Sequence, residues 1–195
     1  MTSITSILLI VDSIQERDNE FEQAILDAGY TINAIVEPDG DFLYQINECH
    51  CDLFVANVDK VRIELMKQIA LVTQTCPMPV IVFTPDENQQ AIDNAIKSGV
   101  SAYIVDGFKA NRIRSIIEVA IHRFKAVNKL QTELVKTKQR LSDRKVIDKA
   151  KGIVMKQKSI HEDEAYNLIR KMAMNKNSSM AEISANIIEV YELMA

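Results

Sequence analysis

Long apolar runs are absent from this chain. No stretch reaches the roughly 18 apolar residues that a bilayer-spanning helix needs, so no membrane span is expected. No basic region precedes the short apolar run near the N-terminus, which argues against a secretory signal. Cysteine is scarce: Cys49, Cys51 and Cys76 are odd in number and ill suited to a disulfide framework. These absences make the cytoplasm the expected location. There is no glycine-rich phosphate loop, and His122 and His161 have no nucleophile or carboxylate arrangement that suggests catalysis. Cys49-His50-Cys51 has metal-ligating residue types, but neighbours entering a strand point in alternating directions and no second ligand pair exists. The expectation is a non-enzymatic protein with no metal and no cofactor.

What is present divides the 195 residues in two. Residues 1–125 carry 10 Lys/Arg against 18 Asp/Glu, a net of −8, whereas residues 126–195 carry 13 against 9, a net of +4. An acidic body with a basic end implies that only the C-terminal part meets a polyanion.

The acidic part alternates short apolar runs with amphipathic stretches. Strands are predicted at 6–12, 31–36, 52–58, 79–84 and 102–105, and helices at 16–28, 39–47, 61–74 and 87–98, with a last helix starting at Ala110. Such alternation implies an α/β doubly wound parallel sheet. Ligands of these sheets lie at the strand carboxyl ends, which groups Asp12, Asn57, Thr84 and Asp106.

From Ala110 to about Gln157, only Gly152 interrupts a run free of glycine and proline. Ile113, Ile116 or Ile117, Ala120, Phe124, Val127, Leu130, Leu134 and Leu141 recur at steps of three and four, as a coiled-coil seam requires. The early part packs on its own domain. Beyond Phe124 the stripe points to a parallel homodimer.

The end of this helix is basic on one side. Val146, Ile147, Ala150, Ile153 and Val154 form an apolar stripe, and Arg144 and Lys151 share the other face. Ser159-x-x-Glu162 and Ser179-x-x-Glu182 fit capping boxes that open two further helices, to about Asn175 and Leu193. The core of the resulting three-helix bundle adds Ala165, Leu168, Ile169, Met172, Ala173, Met180, Ile183, Ile187 and Val190. Met155, Met172 and Met174 read as core. Arg144, Lys145, Lys149, Lys151, Arg170, Lys171 and Lys176 are the phosphate-contact candidates, and Tyr166 either stacks on an unpaired base or fills the core. Gly152 costs about 1 kcal/mol against alanine within a helix, so close helix packing or close ligand approach is expected there.

The pattern Arg144-x-x-Ile147-x-x-Ala150-Lys151-Gly152-Ile153-x-Met155, then Ala165-Tyr166-x-x-Ile169-Arg170-x-x-Ala173-Met174, resembles the ANTAR domain, the RNA-binding module of bacterial transcription antiterminators. Ser184 departs from it, standing where that family usually has alanine; a bond back to a helix carbonyl would satisfy its hydroxyl.

Residues 5–125 resemble the response-regulator receiver domain, a flavodoxin-like (βα)5 fold. That resemblance implies acids holding magnesium, a phosphoacceptor carboxylate, a hydroxyl and a lysine. Here Asp12 is followed by Ser13, so the acidic pair is reduced to one. Asn57 occupies the acceptor position and cannot form an acyl phosphate. Thr84 keeps the hydroxyl, and Asp106 replaces the lysine. Asp59 is a substitute acceptor only if the backbone stays extended beyond Asn57. The expectation is a pseudo-receiver, and the alternative is a phosphorylation-dependent regulator using Asp59. Ser101-Ala-Tyr-Ile-Val-Asp-Gly107 is similar to the nitrate/nitrite-assimilation antiterminators of the NasT type. That similarity implies control by a ligand-sensing protein, a nitrate sensor of the NasS type. The organisation expected is a pseudo-receiver at 1–125, a coiled-coil connecting helix at 126–143 and an ANTAR domain at 144–195. It would bind paired hairpins in an operon leader RNA, not DNA, because the last helix carries Glu182, Glu189 and Glu192.

Overall fold

A computed structural model describes residues 5–15, 18–105 and 107–194. The chain forms two compact units, Met1–Asn128 and Lys129–Ala195.

In the first unit, β1 (Ser6–Val11), β2 (Thr31–Val36), β3 (Leu53–Asn57), β4 (Val80–Phe83) and β5 (Ala102–Ile104) form one sheet in the order β2-β1-β3-β4-β5. Every pairing is parallel. Between the strands run α1 (Asn19–Asp27), α2 (Phe42–Cys49), α3 (Ile63–Thr75) and α4 (Gln89–Lys97), and α5 (Ala110–Lys158) follows β5. The strands are unbroken apolar runs because both faces of the sheet are covered. Alternation sends Leu8, Ile10, Phe54, Ala56, Val80 and Val82 into a core beneath α2, α3 and α4. Ile7, Leu9, Leu53, Val55, Ile81 and Phe83 face the opposite way, onto α1 and onto Ile113, Ile117 and Ala120 of α5. Phe21 fastens that second core edge-on to Phe83 and Phe108, with ring centroids 5.2 and 4.9 Å away.

The expected α/β flavodoxin-like sheet is present, and the differences lie at helix starts. α2 begins at Phe42 instead of Asp39 because Asp41 is the cap, its carboxylate accepting the Tyr44 N–H at 3.0 Å. α1 likewise begins after Asp18, and α4 after Asn88, whose side-chain oxygen accepts the Gln90 and Ala91 N–H groups. The Cys49-His50-Cys51 segment is structural. His50 ends α2 in the left-handed region (φ 52°), and Cys51 is buried in the core, where desolvation pushes its thiol up to about 11. Among the described residues, no group of three or more His, Cys, Asp or Glu is arranged to hold a metal.

The second unit packs the end of α5 with α6 (Glu162–Lys176) and α7 (Met180–Met194). Its core is Ala150, Val154, Ala165, Ile169, Ala173 and Ile183, flanked by partly buried Leu168, Met172, Met180 and Ile187. Four sequence expectations are corrected here. Ser159 does not open α6: it lies in the left-handed region (φ 53°) just past α5, and His161 is the N-cap, its N–H donating to Glu164 at 3.3 Å. Val190 and Met174 are exposed, not core: Val190 lines an open groove with Gln157 and Met172, and Met174 lies two turns past exposed Tyr166 on α6. Ser184 is fully buried, and its hydroxyl has no partner among the described residues instead of bonding back to a carbonyl. The second capping box forms as expected: the Glu182 N–H donates to Ser179 Oγ at 3.1 Å, and the Ser179 N–H to Glu182 at 2.9 Å.

Among the described residues no helix is long and apolar enough to cross a membrane. Beyond Phe124, the seam residues Val127, Leu130, Leu134 and Leu141 are exposed on α5.

Candidate functional site

At the strand carboxyl ends of the first unit, Asp12, Ser13, Asn57, Asp59 and Thr84 line one open cleft of about 620 Å³. Asp106 lies outside the described residues. Asp12, Asp59 and Thr84 in the cleft are already engaged with one another. One carboxylate oxygen of Asp12 accepts the Asp59 N–H at 2.5 Å. The Thr84 hydroxyl donates to the Asp59 carbonyl at 3.2 Å and accepts the Asp86 N–H at 3.1 Å. β3 stops at Asn57 and the chain bends at Asp59, so the extended backbone that a substitute acceptor requires is not there. The described lining contains Asp18 and Glu87 as further acids and no lysine or arginine.

The receiver resemblance implies a magnesium ion in such a cleft, and the residues present do not fit one. Asp12 stands without an acidic neighbour in sequence and already accepts a backbone N–H. No three described acids gather to complete a coordination sphere. One residue of this region escapes sequence reading. Tyr103 donates its hydroxyl to the Asp86 carbonyl at 2.9 Å, tying β5 to the loop before α4. Desolvation, then the Asp86 charge, pushes its pKa up to about 12. Only its place in the middle of a short strand hints at that role.

In the second unit the basic candidates occupy unlike environments. Arg144 is open, its side chain 83% exposed, with Asp148 3.9 Å away. Lys151 is 14% exposed, its ammonium 2.8 Å from Asp148 and 2.6 Å from Glu162. Both cations therefore reach Asp148, and they share a face as their spacing requires. Hydrogen bonds to Asp148 and then Glu162 raise the pKa of Lys151, and the same bond lowers that of Asp148. Lys149 spans to α7, 2.7 Å from Glu192, over a groove of about 600 Å³ whose apolar floor includes Val146, Ile188 and Leu193. Lys145 lines the same groove and is exposed.

On α6, Tyr166, Arg170 and Met174 stand in a row one turn apart, and all three are exposed, Tyr166 by 43%. The core alternative for Tyr166 is thereby removed. Lys171 and Lys176 are exposed on the same helix. A Cβ added at Gly152 meets nothing within 4 Å, so close helix packing does not account for that glycine. The roles of Asp148 and Glu162 were missed in the sequence, although the Asp148–Lys151 spacing of three carries the signal.

Residues 136–188 match the ANTAR domain family. The transcriptional regulatory protein PdtaR of Mycobacterium tuberculosis is 25% identical over 152 residues, which cover 77% of this chain and 74% of that protein. The nitrate regulatory protein of Klebsiella oxytoca is 37% identical over 67 residues, covering 34% of this chain and 17% of that protein. Among solved structures, a CheY-like receiver domain protein from Methanospirillum hungatei has a TM-score of 0.53 at 18% identity, covering 64% of this chain and 98% of that one. NtrX from Brucella abortus has the same TM-score, 0.53, at 20% identity, covering 74% of this chain and 35% of that one. The solved structures show the fold of the sheet and its helices, and the family match covers the C-terminal module. The chain joins a domain with the receiver fold to a C-terminal segment, 136–188, that matches the ANTAR domain family.

Proposed function

We propose that this protein is a transcription antiterminator that binds paired hairpins in the leader RNA of its target operon. The observation carrying this reading is the exposed set Arg144 and Lys145 on α5 with Tyr166, Arg170 and Lys171 on α6, inside the matched ANTAR segment. Arginine and lysine bond phosphates, and an exposed tyrosine offers a face on which an unpaired loop base stacks. Lys149, Lys151 and Lys176 add positive potential to the same module, and Gly152 leaves open space beside Lys151 for close approach of a ligand backbone. The work is binding energy: an RNA fold that excludes the terminator is held, and no bond is made or broken.

Two copies would act together. The exposed stripe Val127, Leu130, Leu134 and Leu141 has the spacing of a parallel two-stranded seam, and a dimer brings two RNA modules to two hairpins. Control comes from a ligand-sensing protein that binds the pseudo-receiver. The similarity of the 101–107 segment to NasT-type proteins and the partial likeness to a nitrate regulatory protein favour nitrate or nitrite assimilation as the setting. Asn57 at the acceptor position and the engaged carboxylate of Asp12 weigh against phosphorylation through Asp59.

Competition between leader RNA and duplex DNA of the same sequence tests the reading. Retention of the RNA complex against excess DNA is expected. Equal displacement by both would replace it with general polyanion binding.

A further inference from the structure

We infer that the groove between α3 and α4 is the docking site for an acidic, apolar segment of a partner protein. The inference rests on the reading that a protein partner governs this chain, and it places that partner on one surface.

The charge pattern of the first unit carries the argument. Residues 1–108 hold five Lys/Arg against 17 Asp/Glu. Four of the five, Lys60, Arg62, Lys67 and Lys97, stand just before α3, on α3 or at the end of α4; the fifth, Arg17, lies outside the described residues. Ahead of α5, the described cations thus stand on one helix pair; the unit's other five, Lys109, Arg112, Arg114, Arg123 and Lys125, are just before or on α5. Between those helices runs a groove of about 350 Å³, with Val61, Ile63, Met66 and Ala91 along it and Lys67 and Lys97 at its edges. Neither lysine makes an ion pair among the described residues, and both are exposed.

The apolar part is equally unsatisfied. Ile63, the first residue of α3 and part of the groove lining, is 65% exposed. Burial of a large aliphatic side chain is favourable, and no described residue covers this one. Arg62 is the N-cap of α3 and makes no side-chain cap bond, so first-turn N–H groups beside Ile63 remain free for an acceptor. Glu64 is the acid in that turn, and it stands about 100° around the helix from Ile63. Cations at the rim, an aliphatic floor and unmet backbone donors match a segment alternating Asp or Glu with aliphatic residues. Nucleic acid fits less well: the lining has no aromatic side chain for a base and an aliphatic floor that phosphates do not use.

In-cell photocrosslinking of the full-length chain tests this. Benzoylphenylalanine is placed at Ile63, and separately at exposed Leu26 on α1 and Tyr44 on α2. The expected result is an adduct at Ile63 with one protein, mapped to a peptide rich in acidic and aliphatic residues. Lys67→Glu/Lys97→Glu should lower its yield by about tenfold, since like charges then face each other; an unchanged melting curve would show that this variant folds. Protein adducts at Leu26 or Tyr44 with none at Ile63 would overturn the groove and leave partner control standing. Absence of protein adducts at every position would overturn partner control itself. A nuclease-sensitive adduct, an adduct with a second copy of this chain, or one indifferent to charge reversal would each overturn the inference.

Discussion

Lys151 and Glu162 lie 2.6 Å apart, ammonium to carboxylate, and their contact fastens α5 to the first residue of α6. Asp148 holds the same ammonium from below at 2.8 Å. The lysine that motif and charge single out for RNA is therefore also the clasp that orients the Tyr166–Arg170 row. The two roles predict opposite signs. As a clasp, Lys151 needs Glu162, and Glu162→Gln weakens RNA binding with an unchanged salt slope. As a phosphate contact held back by Glu162, it is released by the same change, and affinity rises. Asp163→Asn, one residue on, removes the same charge without touching the clasp and serves as the reference. We expect Glu162→Gln to bind about threefold to tenfold more weakly than Asp163→Asn, in gel-shift titrations at several salt concentrations.

Ser184 predicts a stabilising substitution. Its buried hydroxyl is unpaired, and an unmet buried polar group costs about 1–3 kcal/mol. Ser184→Ala removes that cost, adds helix propensity and leaves only a small void. Thermal unfolding of the full chain should show the C-terminal transition raised by several degrees, about 1 kcal/mol. A lowered transition would mean that the hydroxyl is satisfied after all.

Acid should loosen the start of α7. The Ser178 hydroxyl and then the Ser179 N–H bond the Glu182 carboxylate and hold its pKa below the ordinary value. A depressed carboxylate contributes stability above the ordinary glutamate value of about 4.3, and that contribution disappears as pH falls through the depressed one. Melting temperatures measured from neutral pH downward should drop in this region for wild type and less steeply for Glu182→Gln. Parallel curves would contradict the assignment.

Phosphate chemistry in the cleft is expected to be absent. Incubated with acetyl phosphate and magnesium, the protein should incorporate no label, and Asp59→Asn should leave RNA affinity unchanged. Label that Asp59→Asn abolishes would restore the phosphorylation reading.

Much of this was legible in sequence because it depends on local periodicity. Leu8–Val11, Leu53–Ala56 and Val80–Phe83 are continuous apolar runs that only a sheet covered on both faces accommodates, and β2 was read to the residue. Helix starts were less legible where two acceptors compete: Asp39 and Asp41 both suit a cap, and only the turn through Gly40 selects the second. Ser159 has the spacing of a capping box, yet it is spent in closing α5, where the Ile160 N–H reaches back to the Met155 carbonyl at 3.4 Å. For the functional residues, sequence gave types and faces but not partners. The Asp148 half of the Lys151 clasp is encoded in a spacing within α5, but the Glu162 half follows from the approach of α6, a tertiary fact that no such spacing encodes.

The exposed α5 and α6 residues form the proposed RNA-recognition surface. Its most direct test is a gel-shift titration of the full chain on its own operon's leader RNA, with Arg144→Ala/Arg170→Ala alongside. Tight wild-type binding that resists unrelated hairpins, lost by about tenfold or more in the double variant, is the predicted result. Equal affinity of wild type and variant for the leader would contradict the account.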